Sequence, residues 1–403
     1  MAGHSTMLGS MPQGPLRLLI LAAQYFPAVG GSEGQARLLA REFARRGHAV
    51  QVWTRRLEAG HARSETLDGV LIRRLGPILG VGPAALERLI FVYELYRRLR
   101  REASSFDVIL ANQLQYPAVA ATLACRGRGL PVVGRSSASG PQSEMLRPEW
   151  TFRVQRALLT RYIDHVVALG PVTRDDCQAA GFRASLITLI PNGLEMGPVA
   201  PPRAPTPPLR VVWLGKLRRE KRADLAIRAW RESGIEGELR IVGDGPLLDS
   251  IETLVREAET ATGSVRMVGL VNDPRPELAS AHVFVQSSDT EGLSNALLEA
   301  MSSGCGIVAT DVGETRYVLG GLGVGEAPRG SYVRAEGGLL VRPGDAPGLA
   351  AGLRALLDDN LRASLGKAAE ARCRAHHGLG EVASRYEELF ARLLETGRGG
   401  RAA

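Results

Sequence analysis

The sequence predicts an α/β protein built of two doubly wound domains in tandem. Three observations predict it. Short apolar runs alternate with amphipathic stretches from residue 17 to about 357, the mark of parallel sheets with helices on both faces. A Pro-rich stretch, PVAPPRAPTPP (198–208), breaks the alternation once, as a stiff extended linker does. The length of 403 residues suits two ordinary domains. Ligands of such folds bind at the carboxyl ends of the strands, so the groove between the domains is the expected site.

In the first half, RLLILA (17–22) reads as a buried strand. The loop after it holds Pro27, Gly30 and Gly31, and Ser32 is placed to cap the next helix with Glu33 in its first turn. Leu38, Leu39 and Phe43 give that helix its apolar face, Gly47 ends it, and AVQVWT is the next strand. Glycines in such a unit sit where a backbone must approach something closely. The loop is not G-x-G-x-x-G and no acid follows the second strand, which disfavours a nicotinamide cofactor. VLIRRL (70–75) is a further strand. Residues 84–102 form an amphipathic helix, with Leu86, Leu89, Ile90, Tyr93 and Leu99 set against Arg88, Arg97, Arg98, Arg100 and Arg101. DVILAN (107–112), LPVVGRS (130–136) and HVVALG (165–170) are strands, with helices over 116–125, 148–161 and 173–180. SLITLIPNG (185–193) closes the half with a strand and a Pro-Asn-Gly turn.

The second half repeats the scheme. RVVWLG, ELRIVGDG, SVRMVG, HVFVQSS, GIVATD and GGLLVRP are strands. RADLAIRAWRES, PLLDSIETLVREAE, PELASA, a helix within 291–301 and one over 346–357 lie between or after them.

Hydrophobic residues make up 45% and charged residues 23%, the profile of a soluble globular chain. No run of about 18 apolar residues is present, so no membrane-spanning helix is expected. The opening MAGHSTMLGSMPQGPL is polar and Gly/Pro-rich without the apolar core of a signal peptide, which predicts a disordered tail over 1–15 and a cytoplasmic protein. Cys125, Cys177, Cys305 and Cys373 lack metal or redox spacing, so free thiols in a reducing compartment are expected. Residues 1–200 carry 24 Arg, no Lys and 15 acids, a net of +9, whereas the rest carries 26 basic and 27 acidic residues, a net of −1. So lopsided a charge points to an anionic surface as partner. No zinc-finger, RNP or helix-turn-helix signature favours nucleic acid, and an anionic membrane surface at the cytoplasmic face is the better expectation.

The chemistry concentrates in DTEGLSNALLEAM (289–301), after a strand. Glu291 in the loop just ahead of the helix and Glu299 on its second turn would face one groove, since eight residues span about 2.2 turns. Gly292 lies beside Glu291, and the N–H groups of Leu293, Ser294 and Asn295 would form the phosphate-binding end of the helix. The bland alternative is an acidic helix start that merely suits the dipole. The protein has three lysines, and two of them, Lys216 and Lys221, fall in one loop, GKLRREKRADL. In a chain that otherwise writes its cations as Arg, this suggests compact point charges for phosphate oxygens. GDGP (243–246) reads first as turn chemistry, with Gly243 lining the groove at most. Backbone groups at Leu270 or Val271, in MVGLV, are placed to hold a nucleobase.

GKLRREK, GDGP, VGLV, EGLSNALLEAM, VATDVG and GGLLVRPGD, with FPAVGGSE and ARRGHAVQVWT in the first half, resemble the retaining GT-B glycosyltransferases of family 4 over roughly residues 16–375. The resemblance implies two Rossmann-like domains facing each other across a cleft. An acceptor-binding domain would span 16–197, the linker 198–208 and a nucleotide-sugar domain 209–375, with a helix in 376–403 crossing back through VASRYEELFARLL. It implies that Lys216 and Lys221 hold the diphosphate, Glu291 binds donor-sugar hydroxyls and steadies the transition-state charge, and Glu299 takes the ribose hydroxyls. Gly30 and Gly31 would approach the diphosphate or the acceptor. No cofactor or metal is expected, and no D-x-D motif appears. The chain departs from the family in two places. The usual first-domain histidine is missing from LANQ and VVGRSSASG, where Asn112, Arg135 or Ser136 would take the acceptor-side contact. The family's later glutamate is shifted, with Glu314 standing early in GETRYV. The implied activity is transfer of a UDP- or GDP-linked sugar to a glycan or lipid-linked hydroxyl, in polysaccharide or glycolipid synthesis. A non-catalytic sugar-nucleotide-binding protein and a sugar-nucleotide epimerase of the same fold are the alternatives.

Overall fold

The computed structural model describes residues 14–28, 30–79, 84–140, 143, 145–199, 208–257 and 263–399. The predicted tail falls almost wholly outside these residues, as do 200–207 of the Pro-rich linker and 400–403.

The first domain runs β1 (Arg17–Ala22), α1 (Gly31–Arg45), β2 (Ala49–Arg55), β3 (Ser64–Leu67), β4 (Val70–Leu75), α2 (Ala84–Glu102), β5 (Val108–Ala111), α3 (Tyr116–Cys125), β6 (Val132–Arg135), α4 (Trp150–Tyr162), β7 (His165–Ala168), α5 (Pro171–Ala179) and β8 (Ile187–Leu189). The second runs β9 (Leu209–Leu214), α6 (Ala223–Ser233), β10 (Gly237–Val242), α7 (Leu248–Glu257), β11 (Gly263–Gly269), α8 (Arg275–Ser280), β12 (Val283–Gln286), α9 (Asn295–Ser302), β13 (Gly306–Thr310), α10 (Thr315–Val318), β14 (Tyr332–Ala335), β15 (Gly338–Val341), α11 (Ala346–Ala355) and α12 (Asp359–His377). Helix α13 (Leu379–Gly399) ends the described chain.

Every apolar run read as a strand is one. The sequence reading passed over β3 and β14, the antiparallel edge strands of the two sheets. Their residues, SETL and YVRA, are half polar because an edge strand is covered on fewer sides. Ser32 does not cap α1: the helix starts two residues earlier than expected, at Gly31 with Gly30 at the cap, and the Ser32 hydroxyl instead accepts from Asn112.

The strand orders are β3-β4-β2-β1-β5-β6-β7-β8 and β11-β10-β9-β12-β13-β15-β14. Each sheet therefore reverses its winding once, between β1 and β5 and between β9 and β12. Crevices open at the carboxyl ends of strands at such switch points. The loops flanking the two crevices carry Gly30–Ser32, Asn112, Lys216–Lys221 and Ser287–Gly292. Topology alone has gathered Gly30, Gly31, Asn112, Lys216, Lys221, Glu291 and Gly292 from among the residues singled out in the sequence.

Each sheet is buried on both faces. In the first domain Phe91, Leu95 and Leu99 of α2 pack with α3 on one face, while Leu39 and Phe43 of α1 cover the other. This corrects the predicted apolar face of α2. Phe91, Leu95 and Leu99 point inward, whereas Leu86, Leu89 and Tyr93 are exposed, Leu89 by 67%. Helix α13 returns to the first domain and buries Tyr386, Leu389 and Phe390 beside α1. The Phe43 ring meets Tyr386 and Phe390 at centroid distances of 6.2 and 6.0 Å, and such aromatic pairs contribute roughly 0.5–1.5 kcal/mol each beyond area burial. Glu387 reinforces the seam, accepting from Arg46 at 2.7 Å and pairing with His48 at 2.9 Å. All four cysteines are buried free thiols. No helix among the described residues is long and apolar enough to cross a membrane.

Candidate active site

Ser287 and Ser288 follow strand β12, and the Ser287 hydroxyl and the Ser288 carbonyl tie the loop to its neighbours. Ser287 Oγ accepts from the Trp213 indole at 3.1 Å and donates to the Arg222 carbonyl at 2.7 Å. The Ser288 carbonyl accepts from Thr310 at 2.7 Å, and its hydroxyl donates to Glu291 Oε1 at 2.7 Å. Glu291 thus leaves a braced loop. Its carboxylate takes both hydrogen bonds from Lys221 Nζ, at 2.6 and 2.7 Å, and its side chain is only 8% exposed. Lys221 is held in turn by a tight 3₁₀ turn and by Arg222, whose left-handed φ of 52° lets α6 begin at once. Lys221, read from the sequence as a diphosphate ligand alone, is therefore first the counter-charge of Glu291. Lys216 stands exposed at the start of the same loop.

Helix α9 starts at Asn295, later than the sequence suggested. Ser294 is the cap, and its hydroxyl accepts the Leu297 N–H at 3.3 Å. The first-turn donors are thus those of Asn295 and Ala296 rather than of Leu293 to Asn295.

The first domain closes the site from the other side. Asn295 donates to the Gly31 carbonyl at 2.9 Å, and Asn192 donates to Asn295 Oδ1 at 2.7 Å and to the Leu293 carbonyl at 3.2 Å. Arg135, 1% exposed, donates to Asn112 at 3.0 Å and to Asn192, and Asn112 donates to Ser32 Oγ at 2.8 Å. A buried chain of amides therefore connects the glycine loop, the β6 cation and α9. Ser139 donates to the Glu291 carbonyl, and the Ser137 carbonyl packs on Gly292 so closely that a Cβ there would lie 2.4 Å from it. Gly292 is glycine for that approach.

Together these groups enclose a polar cavity of about 130 Å³, several times the space one water occupies. The structure brings Gly31, Arg135, Lys221, Glu291, Gly292, Leu293, Ser294 and Asn295 to it, joined by Ser32, Ser137 and Asn192. It does not bring Lys216, Gly243, Leu270, Val271 or Glu299 to the same cavity; they lie at the carboxyl edge of the second sheet. Gly30 caps α1 just behind Gly31. Asn112 acts through Arg135, and Ser136 is wholly buried with no hydrogen bond from its hydroxyl. Gly243 has a structural reason of its own, since a Cβ would fall 1.8 Å from the Gly215 carbonyl. Asn192 was missed because Pro-Asn-Gly reads as a turn, and Ser137 and Ser139 because serine runs carry no spacing signal.

Glu299 sits on the second turn of α9, facing Asp273 and Arg275. Burial first and Asp273 second push its carboxyl up to about 7, against the pull of Arg275. Among the described residues no group of three or more His, Cys, Asp or Glu side chains is placed to hold a metal ion.

Comparisons with known proteins agree with this architecture. Residues 29–197 match the family described as "Glycosyltransferase Family 4", and residues 208–359 match "Glycosyl transferases group 1". The chain is 30% identical over 166 residues to the Campylobacter jejuni N-acetylgalactosamine-N,N'-diacetylbacillosaminyl-diphospho-undecaprenol 4-alpha-N-acetylgalactosaminyltransferase, covering 41% of this chain and 42% of that one. The matches span only 32% and 42% of the lengths of the first curated relatives. Sucrose-phosphate synthase of Thermosynechococcus elongatus superposes with a TM-score of 0.78 at 21% identity, over 94% of this chain and all of that one. Anabaena HepE in complex with UDP-glucose superposes with a TM-score of 0.72 at 17% identity, over 94% and 100%. These likenesses show the GT-B fold.

Proposed function

This chain belongs to the group 1 glycosyltransferases, and from that premise we propose that it transfers a sugar from a UDP- or GDP-sugar, with retention, to a hydroxyl of a glycan or lipid-linked acceptor. The observation that carries the reading is the Lys221–Glu291 pair at the β9/β12 crevice, below the start of α9 and facing Arg135 of the other domain. When a donor enters, the Lys221 ammonium is shared between Glu291 and a phosphate oxygen, with Lys216 and the α9 N–H groups completing the anion site. The C1–O bond to the diphosphate breaks while the acceptor oxygen bonds to C1 on the same face. The acceptor proton passes to the departing phosphate oxygen. Glu291 stabilises the positive charge that builds on the sugar ring. The UDP-glucose named for a neighbour of the same fold supports the donor class, and the diphospho-undecaprenol in a relative's name supports a lipid-linked acceptor.

The deciding experiment is a panel of UDP- and GDP-sugars assayed for turnover with and without EDTA. Turnover of at least one donor that survives EDTA is expected, because lysines and the helix start supply the positive charge. No turnover with any donor would leave a binding protein, and activity restored only by Mg²⁺ or Mn²⁺ would overturn metal independence.

Glu299 makes donor binding pH-dependent in a stated direction. Ionised, it accepts from both ribose hydroxyls more strongly than in its acid form, and with its pKa pushed up to about 7 it is mostly protonated at pH 6 and mostly ionised at pH 8. Affinity for the nucleoside diphosphate should therefore rise roughly tenfold across that window. In Glu299→Gln the residual slope belongs to the diphosphate alone. Equal slopes in the two proteins, read by calorimetry, would remove Glu299 from the ribose.

We also propose peripheral contact with an anionic membrane through the first domain. The exposed Leu86, Leu89 and Tyr93 of α2 lie on its N-terminal half, and Arg97 and Arg100 follow on the same helix. Trp150, 75% exposed at the start of α4, adds a second apolar anchor. Such a face enters the headgroup layer while its cations meet anionic lipid, each adding about 1 kcal/mol. Vesicle co-sedimentation should require anionic lipid, weaken in high salt, and be lost in Leu89→Ser/Tyr93→Ser. A wild-type protein left in the supernatant at low salt would point to a soluble acceptor.

A further inference from the structure

We infer that Glu314 is a latch between the two domains, a positioning residue that sets the Glu291 loop when the cleft is closed. Glu314 precedes α10 in the second domain and is wholly buried, yet its side chain leaves its own domain. Its Oε1 accepts from the backbone N–H of Thr173 at 2.7 Å and from the Thr173 hydroxyl at 3.0 Å, both in the first turn of α5. A carboxylate at a helix N-terminus is favourable. Here the carboxylate comes from the opposite domain, so the interaction exists only while the domains meet.

The first domain is shaped to receive it. A Cβ built on Gly170 would lie 2.3 Å from Glu314 Oε2, and the three nearest atoms all belong to that carboxylate. The φ of Gly170 is 179°, extended backbone that any residue adopts, so glycine here answers to the incoming carboxylate rather than to the local fold. The other end of Glu314 holds the candidate active site. Its N–H donates to the Gly292 carbonyl at 2.9 Å, and Gly313, at φ +53°, lies against the carbonyls of Glu291 and Gly292. The Ser139 hydroxyl reaches the Glu291 carbonyl from the first domain. One closing movement therefore grips the loop from both sides. Burial raises the Glu314 carboxyl pKa, while the hydrogen bonds from Thr173 and the Val172 backbone pull it down.

The test compares the full chain with Gly170→Ala, Glu314→Ala and the double variant, by small-angle scattering and by turnover. The turnover arm rests on the proposed glycosyltransferase activity; the scattering arm does not. Gly170→Ala should expand the particle and lower turnover tenfold or more, with affinity for UDP, the probe used, changed less than threefold. Glu314→Ala should give the same expansion, so the result does not hang on one variant folding. The double variant, whose added methyl no longer meets a carboxylate, should be no worse than Glu314→Ala alone, a non-additive pair. Unchanged scattering in both single variants, or losses that multiply in the double variant, would overturn the latch. A wild type without turnover would sink the activity reading and leave scattering to decide.

Discussion

Glu291→Ala should lower turnover a hundredfold or more while the protein stays folded. The carboxylate is placed by four loop contacts that do not involve its charge: the Ser287 bonds to β9 and the Arg222 carbonyl, the Thr310 bond to Ser288, and the Ser139 bond to its own carbonyl. Removing the side chain should therefore leave the loop in place and take away only the carboxylate that the proposed mechanism sets against the developing ring charge. Loss of one such preorganised group costs about 3–4 kcal/mol in the transition state, hence a hundredfold or more. The alanine also frees Lys221, which stays half-exposed at the cleft and remains able to meet a phosphate. Binding of the free nucleoside diphosphate should thus be kept or slightly improved while turnover falls. Near-normal turnover in the purified variant would take Glu291 out of the chemistry.

Lys221→Ala acts on both properties. The change removes the ammonium's two hydrogen bonds to Glu291 and, on the proposed mechanism, its contact with the leaving diphosphate. A charge-assisted hydrogen bond contributes roughly 1.5–3 kcal/mol, so diphosphate affinity should drop about ten- to hundredfold, with turnover falling at least as far. Glu291, 8% exposed, is left without its counter-charge, and that strain appears as a lower melting temperature. Lys216→Ala differs: the side chain is exposed and pairs with nothing described, so it should weaken diphosphate binding without moving the melting temperature. Calorimetry and thermal denaturation on both variants separate the two lysines. Unchanged diphosphate affinity in Lys221→Ala would mean that the lysine serves only Glu291.

What was legible before the structure, and what was not, divides along the range of the interactions. The buried parallel strands were legible in the sequence, because a four- to six-residue apolar run between turns has few other stable outcomes, whereas the half-polar edge strands β3 and β14 were not. That Glu291 precedes a helix and that Glu299 lies on its second turn was legible too, since helical spacing is local. The sequence by itself also determined the uneven charge. Only the tertiary structure decided which partners those residues meet. The Lys221–Glu291 pair spans 70 residues, the Asn295–Gly31 bond 264 and the Thr173–Glu314 bond 141. The inward face of α2 was likewise undecidable from periodicity, because a helix with apolar residues all round offers two candidate faces and only the position of α3 and the sheet selects Phe91, Leu95 and Leu99. Contacts between domains depend on two surfaces whose sequences carry no shared period. Gly170 and Glu314, each ordinary in its own stretch of chain, acquire meaning only where the two domains touch.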